Sequence, residues 1–387
     1  MKTQTSIKTF GEELAFLEQY ADVVVLSDSS GKAQAVVSPQ LQGRVLTSTA
    51  DGAQGKSFGW INHELIASKK INEHLNAHGG EDRFWLGPEG GQYSIFFKKG
   101  VAFDLEHWFT PTAIDTEAFA LSAKTGNSVL MTKDIRLVNY CGARFSLHVD
   151  RRIAVLEKAE AINALNLQPA ESVRLVAHQS INKVTNTGGN TWTKESGMLS
   201  IWIIGMFQPS PATTVAIPFK AGPEGKLGRI VNDAYFGKVS ADRLHVGQNA
   251  VFFKGDGQRR GKIGISPRRA KTALGSYDAA SKVLTIVQYK KPENVLDYVN
   301  SMWETQKEPY RGDAVNSYND GPAKPGAKPF GPFYELETSS PALALAPQKS
   351  AEHLHRTFHL QGEEKDLDPI SRAGLGVSLD EIKKALK

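Results

Sequence analysis

The sequence has little cysteine and no long apolar segment. Cys141 is the only cysteine among 387 residues, which excludes an intrachain disulfide framework and a metal site built from several thiolates. No run approaches the roughly 18 apolar residues that span a bilayer, and the N-terminal residues contain no apolar signal core. We therefore expect a soluble chain without a membrane span. It would be cytoplasmic, or periplasmic or otherwise extracytoplasmic if an export signal has been removed.

Several motifs of cofactor and metal chemistry are also missing from the chain. It contains no P-loop, no G-x-G-x-x-G fingerprint after a strand, no H-E-x-x-H and no C-x-x-C. These motifs mark nucleotide phosphates, dinucleotides, catalytic zinc and redox or zinc sites. We therefore expect no cofactor.

The net charge of +5 is modest for this length, and the basic residues form one dense cluster. No aromatic residue lies between Phe253 and Tyr277, whereas single-stranded nucleic acid is bound by basic groups interleaved with stacking aromatics. We therefore expect no nucleic-acid partner. The cluster predicts a solvated hairpin, with a site for an acidic sugar or a phosphate as the alternative. Its members are Arg259, Arg260, Lys262, Arg268, Arg269 and Lys271.

From residue 23 onward the dominant hydrophobic period is two, which indicates strands. Strand patterns extend over some 330 residues without the alternating helices that a parallel sheet requires. The sequence predicts an all-β fold, a large antiparallel β-sandwich with a few short helices. We divide the chain into an N-terminal helical segment (1–21), the sandwich (22–361) and a C-terminal tail with a short helix (362–387). The Pro/Gly-rich stretch 321–332 is predicted to be a loop across the sandwich.

Two carboxylates near the end of the sandwich are the first candidate catalytic residues. Glu335 and Glu337 occupy alternate positions of a predicted strand, so their side chains share one face about 6.5 Å apart. Paired carboxylates raise one another's pKa, which suits a general acid or base. The preceding polar loop adds Asn319 and Asp320 as further candidates. The alternative is a structural pair, with one glutamate in solvent and the other in a salt bridge.

The segment GGEDRFWLGPEGGQ, residues 79–92, is a candidate sugar-binding loop. Its glycines allow tight turns that bring Arg83, Glu89 and Gln92 next to the ring of Trp85. A sugar stacks its apolar face on tryptophan and hydrogen-bonds its hydroxyls to such polar groups. The alternative is that Trp85 is core and Arg83 pairs with a neighbouring carboxylate.

Histidines supply the remaining candidates. His178 lies on a predicted strand and is a usable proton donor if it meets a cleft, and Trp202 on a later strand could stack on a sugar ring. His353, His355 and His359 share one face of the last predicted strand, where an H-x-H pair can chelate a transition metal. The alternative for these three is the solvated face of an edge strand, and our prediction includes no metal.

Three of these stretches carry a resemblance to a known family. VSPQLQGRVLTST (37–49), HGGEDRFWLGPEGGQ (78–92) and FYELETSSPALALAPQKSAEHLHRTFHL (333–360) resemble segments of the galactose mutarotase-like supersandwich proteins, which include the aldose 1-epimerases. The chain looks like an uncharacterised bacterial branch of that group. The resemblance implies Glu337 as the base that removes the anomeric hydroxyl proton and Arg83 as a substrate-binding residue. The strand expected to carry the family's catalytic histidine, GMLSIWIIGMF (197–207), has none.

These observations predict a carbohydrate-active protein that takes a sugar or oligosaccharide into a cleft. Glu337 would be the general base, and Glu335 and Asp320 the additional catalytic carboxylates. The predicted binding residues are Arg83, Trp85, Glu89, Gln92, His178, Trp202 and Asn319. A non-catalytic carbohydrate-binding protein and a glycoside-cleaving enzyme of the same fold remain alternatives.

Overall fold

The computed structural model describes residues 8–323 and 326–386. Residues 1–7 of the predicted N-terminal segment and residues 324–325 of the predicted 321–332 loop lie outside these ranges. The helices are α1 (Phe10–Tyr20), α2 (His63–Ser68), α3 (Thr112–Asp115), α4 (Lys158–Leu165), α5 (Glu224–Leu227), α6 (Glu364–Leu375) and α7 (Leu379–Lys384). None of the helices in the described ranges has the length and apolar character needed to cross a membrane.

In the described part of the chain, eighteen strands form three antiparallel sheets. The strands are β1 (Val24–Ser27), β2 (Gln34–Ser38), β3 (Arg44–Thr49), β4 (Arg83–Gly87), β5 (Ala120–Lys124), β6 (Ser128–Val138), β7 (Arg144–Val155), β8 (Arg174–Asn186), β9 (Ser200–Phe207), β10 (Thr213–Pro218), β11 (Leu244–Val246), β12 (Ala250–Lys254), β13 (Gly261–Ile265), β14 (Ala273–Asp278), β15 (Val283–Tyr289), β16 (Val315–Asn319), β17 (Tyr334–Ser339) and β18 (Ser350–Gln361). A ten-stranded sheet has the order β11-β12-β10-β14-β15-β18-β8-β7-β6-β5. A five-stranded sheet has the order β13-β16-β17-β9-β4, and β1-β2-β3 form a meander.

The five-stranded sheet packs on the ten-stranded sheet, which confirms the predicted sandwich. Thr338 of β17 points inward and hydrogen-bonds His353 and His355 of β18, each at 2.8 Å. Tyr334 of β17 reaches Ser276 of β14 in the same way, at 2.8 Å between hydroxyl oxygens. Because side chains alternate along a strand, Glu335 and Glu337 must then point out of the opposite face of the five-stranded sheet.

The C-terminal helices cover the outer face of the ten-stranded sheet. Leu367, Ile370 and Leu375 of α6 pack in one cluster with Phe358 and Leu360 of β18. Their spacing along α6 is that of one helical face. The segment after residue 361 therefore contains two helices that complete the core, where the sequence predicted one short helix.

The first and the last helix each begin with a capping box. The Thr9 hydroxyl accepts from the backbone of Glu12, and the Glu12 carboxylate accepts from the backbone of Thr9. Ser378 and Glu381 repeat this capping box at the start of α7. Each box satisfies amide groups that have no partner within the helix.

Two local predictions were wrong. The sequence of the apolar stretch 92–98 predicts a strand, but the structure has an irregular segment there, in which Ile95, Phe96 and Phe97 are buried. The face of His353, His355 and His359 is not a solvated edge, because β18 lies between β15 and β8 and all three side chains are buried. Both errors have the same cause. Whether other elements cover a short apolar or polar face depends on the tertiary structure.

The buried histidines predict that the fold is sensitive to acid. Burial lowers the pKa of His355 from 6.5 to about 4 and that of His353 to about 3. The unfolded chain therefore binds more protons than the folded chain below pH 6.5, so the stability that each neutral histidine contributes is lost as pH falls from 6.5 toward 4. A shift of this size corresponds to roughly 3 kcal/mol for His355.

Urea unfolding at a series of pH values measures this effect. Gln in place of His355 keeps a polar side chain near Thr338 but cannot titrate. The slope of the unfolding free energy against pH, between pH 6.5 and 4, should therefore fall by the equivalent of about one proton. An unchanged slope in His355→Gln would contradict the assignment. The exposed His245 of β11 provides a matched His→Gln control whose slope should remain that of the wild type.

Candidate functional site

The candidate site lies on the outward face of the five-stranded sheet, away from the sandwich interior. Strand register places polar residues in two adjacent rows across this face. One row contains Lys262, Tyr318, Glu335 and Met206, and the next contains Asn316, Glu337, Ile204 and Arg83. Residues from four distant parts of the chain thereby meet at one surface.

Aromatic side chains form the walls of a pocket over this face. Trp85 of β4 and Trp202 of β9 are directly paired across the strands and meet edge to face, with ring centroids 5.3 Å apart. Trp108 and Trp303, from two loops, stack with centroids 5.8 Å apart. The remaining aromatic and apolar lining is Leu75, Leu105, Ile204, Met206, Phe236, Tyr318, Phe330 and Phe333. Such walls match the apolar face of a sugar ring.

A buried ion pair lies at the centre of the site. Glu337 is fully buried, and its Oε2 accepts hydrogen bonds from Lys262 Nζ at 3.1 Å and Trp202 Nε1 at 2.9 Å. Lys262 Nζ also lies 4.5 Å from the centroid of the Trp202 ring, within cation–π range. Lys262 and Trp202 both line the pocket, so Glu337 lies directly behind its wall.

Glu335, by contrast, is part of the pocket wall. Its Oε1 lies 3.7 Å from Arg83 Nη2, close enough for charge attraction but too far for a hydrogen bond. Burial, assisted by the neighbouring charge of Glu337, raises the pKa of Glu335 to about 8. Near pH 7 Glu335 is therefore mainly a neutral carboxylic acid, able to donate a proton.

Burial and neighbouring charges also shift the pKa values of the other charged groups in the pocket. Burial raises the pKa of Glu89 and lowers that of Arg83. For Lys262, burial opposes the charge, but the nearby carboxylates of Glu337, Glu89 and Glu335 outweigh it and raise the pKa. The pocket thus combines three cations with the carboxyl groups of Glu335 and Glu89, whose pKa values are both raised. Arg260, stacked on the Phe236 ring at 3.8 Å, is the third cation.

Several buried polar atoms at the site have no hydrogen-bond partner among the described residues. They are Nε and Nη1 of Arg83, Nε1 of Trp85 and Trp108, Nε of Arg260 and Oε1 of Glu337. Leaving a buried donor or acceptor unpaired costs about 1–3 kcal/mol, so such atoms are rare away from sites that bind water or a ligand. Their concentration around one pocket supports a polar ligand there.

A family model matches residues 8–386, almost the whole chain, and is described as a family of unknown function (DUF6786). The chain belongs to this family. No curated protein matches the sequence significantly.

Solved structures show the fold of this DUF6786 chain. A candidate aldose 1-epimerase from Escherichia coli K12 aligns with a TM-score of 0.52 at 13% identity, covering 88% of this chain and 99% of that one. The Slr1438 protein of Synechocystis sp. PCC 6803 aligns with a TM-score of 0.52 at 11% identity, covering 89% and 96%. The chain therefore has the galactose mutarotase-like β-sandwich fold, as the sequence predicted.

The structure brings five of the ten predicted site residues into the pocket wall of this DUF6786 protein: Arg83, Trp85, Glu89, Trp202 and Glu335. Glu337 lies directly behind the wall. Asp320 lies behind the wall residue Tyr318 and accepts a hydrogen bond from its hydroxyl group at 2.7 Å. Burial raises the pKa of Asp320 to about 6.

The other three predicted residues lie outside the pocket. Gln92 exchanges two hydrogen bonds with the backbone of Gln306. Asn319 holds the loop around Gly257 and Arg259. His178 points into the sandwich interior and contacts Glu81 at 3.0 Å. Each of these three side chains makes polar contacts, but its partners lie outside the pocket.

The main residues missed by the sequence analysis are Lys262, Arg260, Trp108 and Trp303. Lys262 and Arg260 belong to the basic cluster that was predicted to be a solvated hairpin, and this prediction was wrong for Lys262, which is 5% exposed. Arg269 of the same cluster is also buried, where it donates to the carbonyls of Lys220, Gly222 and Gly228. The alternative prediction, a site for an acidic group, suits the position of Arg260 and Lys262.

Proposed function

We propose that the pocket binds a sugar and catalyses proton transfer at its anomeric centre, with Glu337 as general base and Glu335 as general acid. The observation that carries this proposal is the pair of carboxyl groups on one face of β17. One has a buried oxygen without a partner, and the other has a pKa of about 8 in the pocket wall. Such a pair, one group ion-paired with Lys262 and the other protonated near neutral pH, suits acid–base catalysis.

The proton transfers balance within the site. Glu337 would take the proton of the anomeric hydroxyl, and Glu335 would give its proton to the ring oxygen as the bond between that oxygen and the anomeric carbon breaks. Closure of the ring on the other face of the open-chain aldehyde returns both protons. Lys262 and the Trp202 indole hold Glu337 through Oε2, which leaves Oε1 for the substrate.

The pocket must open to admit a sugar. Its volume is about 60 Å³, which is enough for only a few water molecules. Leu105 is 41% exposed at the rim. We expect the Leu105 side chain to move aside on binding, while Lys262 keeps its hydrogen bond to Oε2 of Glu337.

The balance of charge favours an acidic sugar over a neutral one. Arg83, Arg260 and Lys262 are cations, whereas the pKa values of Glu335 and Glu89 are raised. The unpartnered Nε atoms of Arg83 and Arg260 are donors suited to a carboxylate. A uronic acid would satisfy both the cations and the aromatic walls.

Anomeric exchange measured by NMR tests the proposal. Each member of a panel of neutral aldoses and uronic acids is observed with and without the protein, and exchange cross-peaks between anomers report the rate. We expect acceleration for at least one sugar, with a uronic acid accelerated most. If line broadening shows that a sugar binds but no sugar exchanges faster, the catalytic part of the proposal fails.

A second candidate, sugar binding without turnover, is favoured by the position of Glu337 behind Trp202 and Lys262. In that case the same NMR panel shows binding of one sugar class with unchanged exchange. Tryptophan fluorescence offers an independent measure of binding, because Trp85, Trp108, Trp202 and Trp303 all line the pocket.

Arg260→Gln tests the preference for an acidic sugar. We expect this variant to weaken binding of a uronic acid by about 10-fold or more, because one charge-assisted hydrogen bond is lost, and to change binding of the neutral aldose little. Fluorescence titration measures both affinities. Arg259→Gln is the matched control, since Arg259 is exposed and pairs with Asp242 outside the pocket. Equal losses for both sugars would contradict the assignment.

A further inference from the structure

A second cluster of chemically capable side chains lies on the inner side of the five-stranded sheet. A groove of about 1320 Å³ opens there, lined by residues that include Phe58, Trp60, Tyr334 and His359. Tyr334 and Glu335 are adjacent on β17 and point to opposite faces, so the groove and the sugar pocket are separated by the sheet. The cluster is therefore independent of the proposed sugar chemistry.

Three potential metal ligands converge at His359, in the wall of this groove. Glu81 Oε2 lies 3.0 Å from His178 Nε2 and 2.8 Å from His359 Nε2, and the three ligand atoms all lie within 4.8 Å of one another. Glu81 and His178 are fully buried and His359 is 1% exposed. Two imidazoles and one carboxylate at such distances form a donor set that divalent transition metals bind.

We propose that Glu81, His178 and His359 bind one divalent transition-metal ion, with zinc as the best match to the ligands. Around a tetrahedral zinc ion, with bonds of about 2.0–2.1 Å, neighbouring ligand atoms lie roughly 3.3 Å apart. Each imidazole nitrogen needs to separate from Glu81 Oε2 by only a few tenths of an ångström to reach that geometry, and the two imidazole nitrogens already lie within 4.8 Å of each other. A fourth position remains for water or a ligand.

Outer hydrogen bonds already hold two of the three ligands in the required orientation. Thr285 Oγ1 lies 2.9 Å from His359 Nδ1, so a proton on Nδ1 leaves Nε2 free for the metal. The backbone amide of Ser48 donates to Glu81 Oε1 at 2.6 Å, and the Ser48 hydroxyl contacts both carboxylate oxygens. Support of this kind is characteristic of metal-binding histidines and carboxylates.

The ligands also come from both sheets of the sandwich. Glu81 lies two residues before the start of β4 of the five-stranded sheet, whereas His178 and His359 belong to β8 and β18 of the ten-stranded sheet. A bound ion would therefore link the two sheets as well as present an open coordination position near the groove. Because His359 lines the groove, the ion has a route from solvent.

Metal titration of the purified full-length chain tests the proposal. The protein is treated with a chelator, dialysed, and titrated with zinc and separately with cobalt(II), whose visible spectrum distinguishes a four- or five-coordinate protein site from the aqueous ion. We expect one ion per chain and a melting temperature raised by about 3 °C or more at saturating zinc. Glu81→Gln and His359→Gln should each weaken binding by at least about 100-fold.

His355→Gln is the matched control, because His355 is equally buried on the same strand but bonds Thr338 instead of Glu81. It should bind one ion with wild-type affinity whatever its own stability. The proposal is overturned if the wild type binds no zinc above the level of His359→Gln, or if cobalt(II) keeps the spectrum of the aqueous ion. The second outcome depends only on the cobalt(II) spectrum of the wild type, so it can be measured even if a variant does not fold.

Discussion

Replacement of Glu337 by Gln is expected to reduce sugar turnover by at least about 100-fold while sugar binding persists. The carboxylate is the proposed base, and positioned proton transfer contributes typically 10²–10⁴-fold to rate. Gln keeps an oxygen that can accept from the Trp202 indole, so the pocket wall remains in place. The anomeric exchange rate and the fluorescence affinity, measured on the same sample, separate loss of chemistry from loss of binding.

The matched control is Glu352→Gln, the same change at an exposed position of β18, which should retain full activity. The pH profile provides a second readout. If Glu335 acts as the acid with a pKa of about 8, the rate falls as pH rises above 8, and Glu335→Gln removes that limb together with most of the activity. If turnover survives in Glu337→Gln, the general base must be another carboxylate.

Replacement of Lys262 by Met is expected to be among the most destabilising single changes in the protein. Lys262 is the cation beside the fully buried Glu337, at 3.1 Å, and removing it leaves a buried carboxylate with only the Trp202 N–H as partner. Breaking a buried pair in this way costs about 3–5 kcal/mol, because the remaining charge is uncompensated. Urea unfolding at pH 7 measures the loss.

Two further variants isolate the cause of that loss. Lys282→Met removes an exposed lysine whose partner Glu363 is also exposed, and such pairs contribute about 0–1 kcal/mol. Combining Lys262→Met with Glu337→Gln removes both charges, so the double variant should be more stable than Lys262→Met alone. The explanation fails if Lys262→Met costs no more than Lys282→Met.

The sandwich could be predicted because its signals are local. In β7 the burial alternates from Arg144 to Asp150 as the sequence alternates, and both capping boxes are contained in four residues. In β4 the burial does not alternate. Phe84 and Leu86 face the core, Arg83 and Trp85 face the pocket, and all four are buried. Helix α6 contains Pro369, which obscured its apolar face in the sequence.

The site could be predicted only where its residues lie on the same strand. The shared face of Glu335 and Glu337 follows from strand alternation alone. The sequence predicted a loop for Arg83 and Trp85, which the structure places on strand β4. The contact between Lys262 and Glu337 joins residues 75 positions apart, and that between Glu81 and His359 joins residues 278 apart. These contacts depend on how strands pair and sheets stack, and no local pattern in the sequence encodes them.

The two-faced character of β17 also determines which changes in chain length the protein can accept. Inserting or deleting one residue between Tyr334 and Thr338 would turn the following side chains to the opposite face. Glu337 would then enter the histidine-rich interior, and Thr338 would leave His353 and His355. The strand therefore admits substitutions but not a change of length. The described residues 321–323 and 326–332 before it lie outside the regular strands and are free of this constraint.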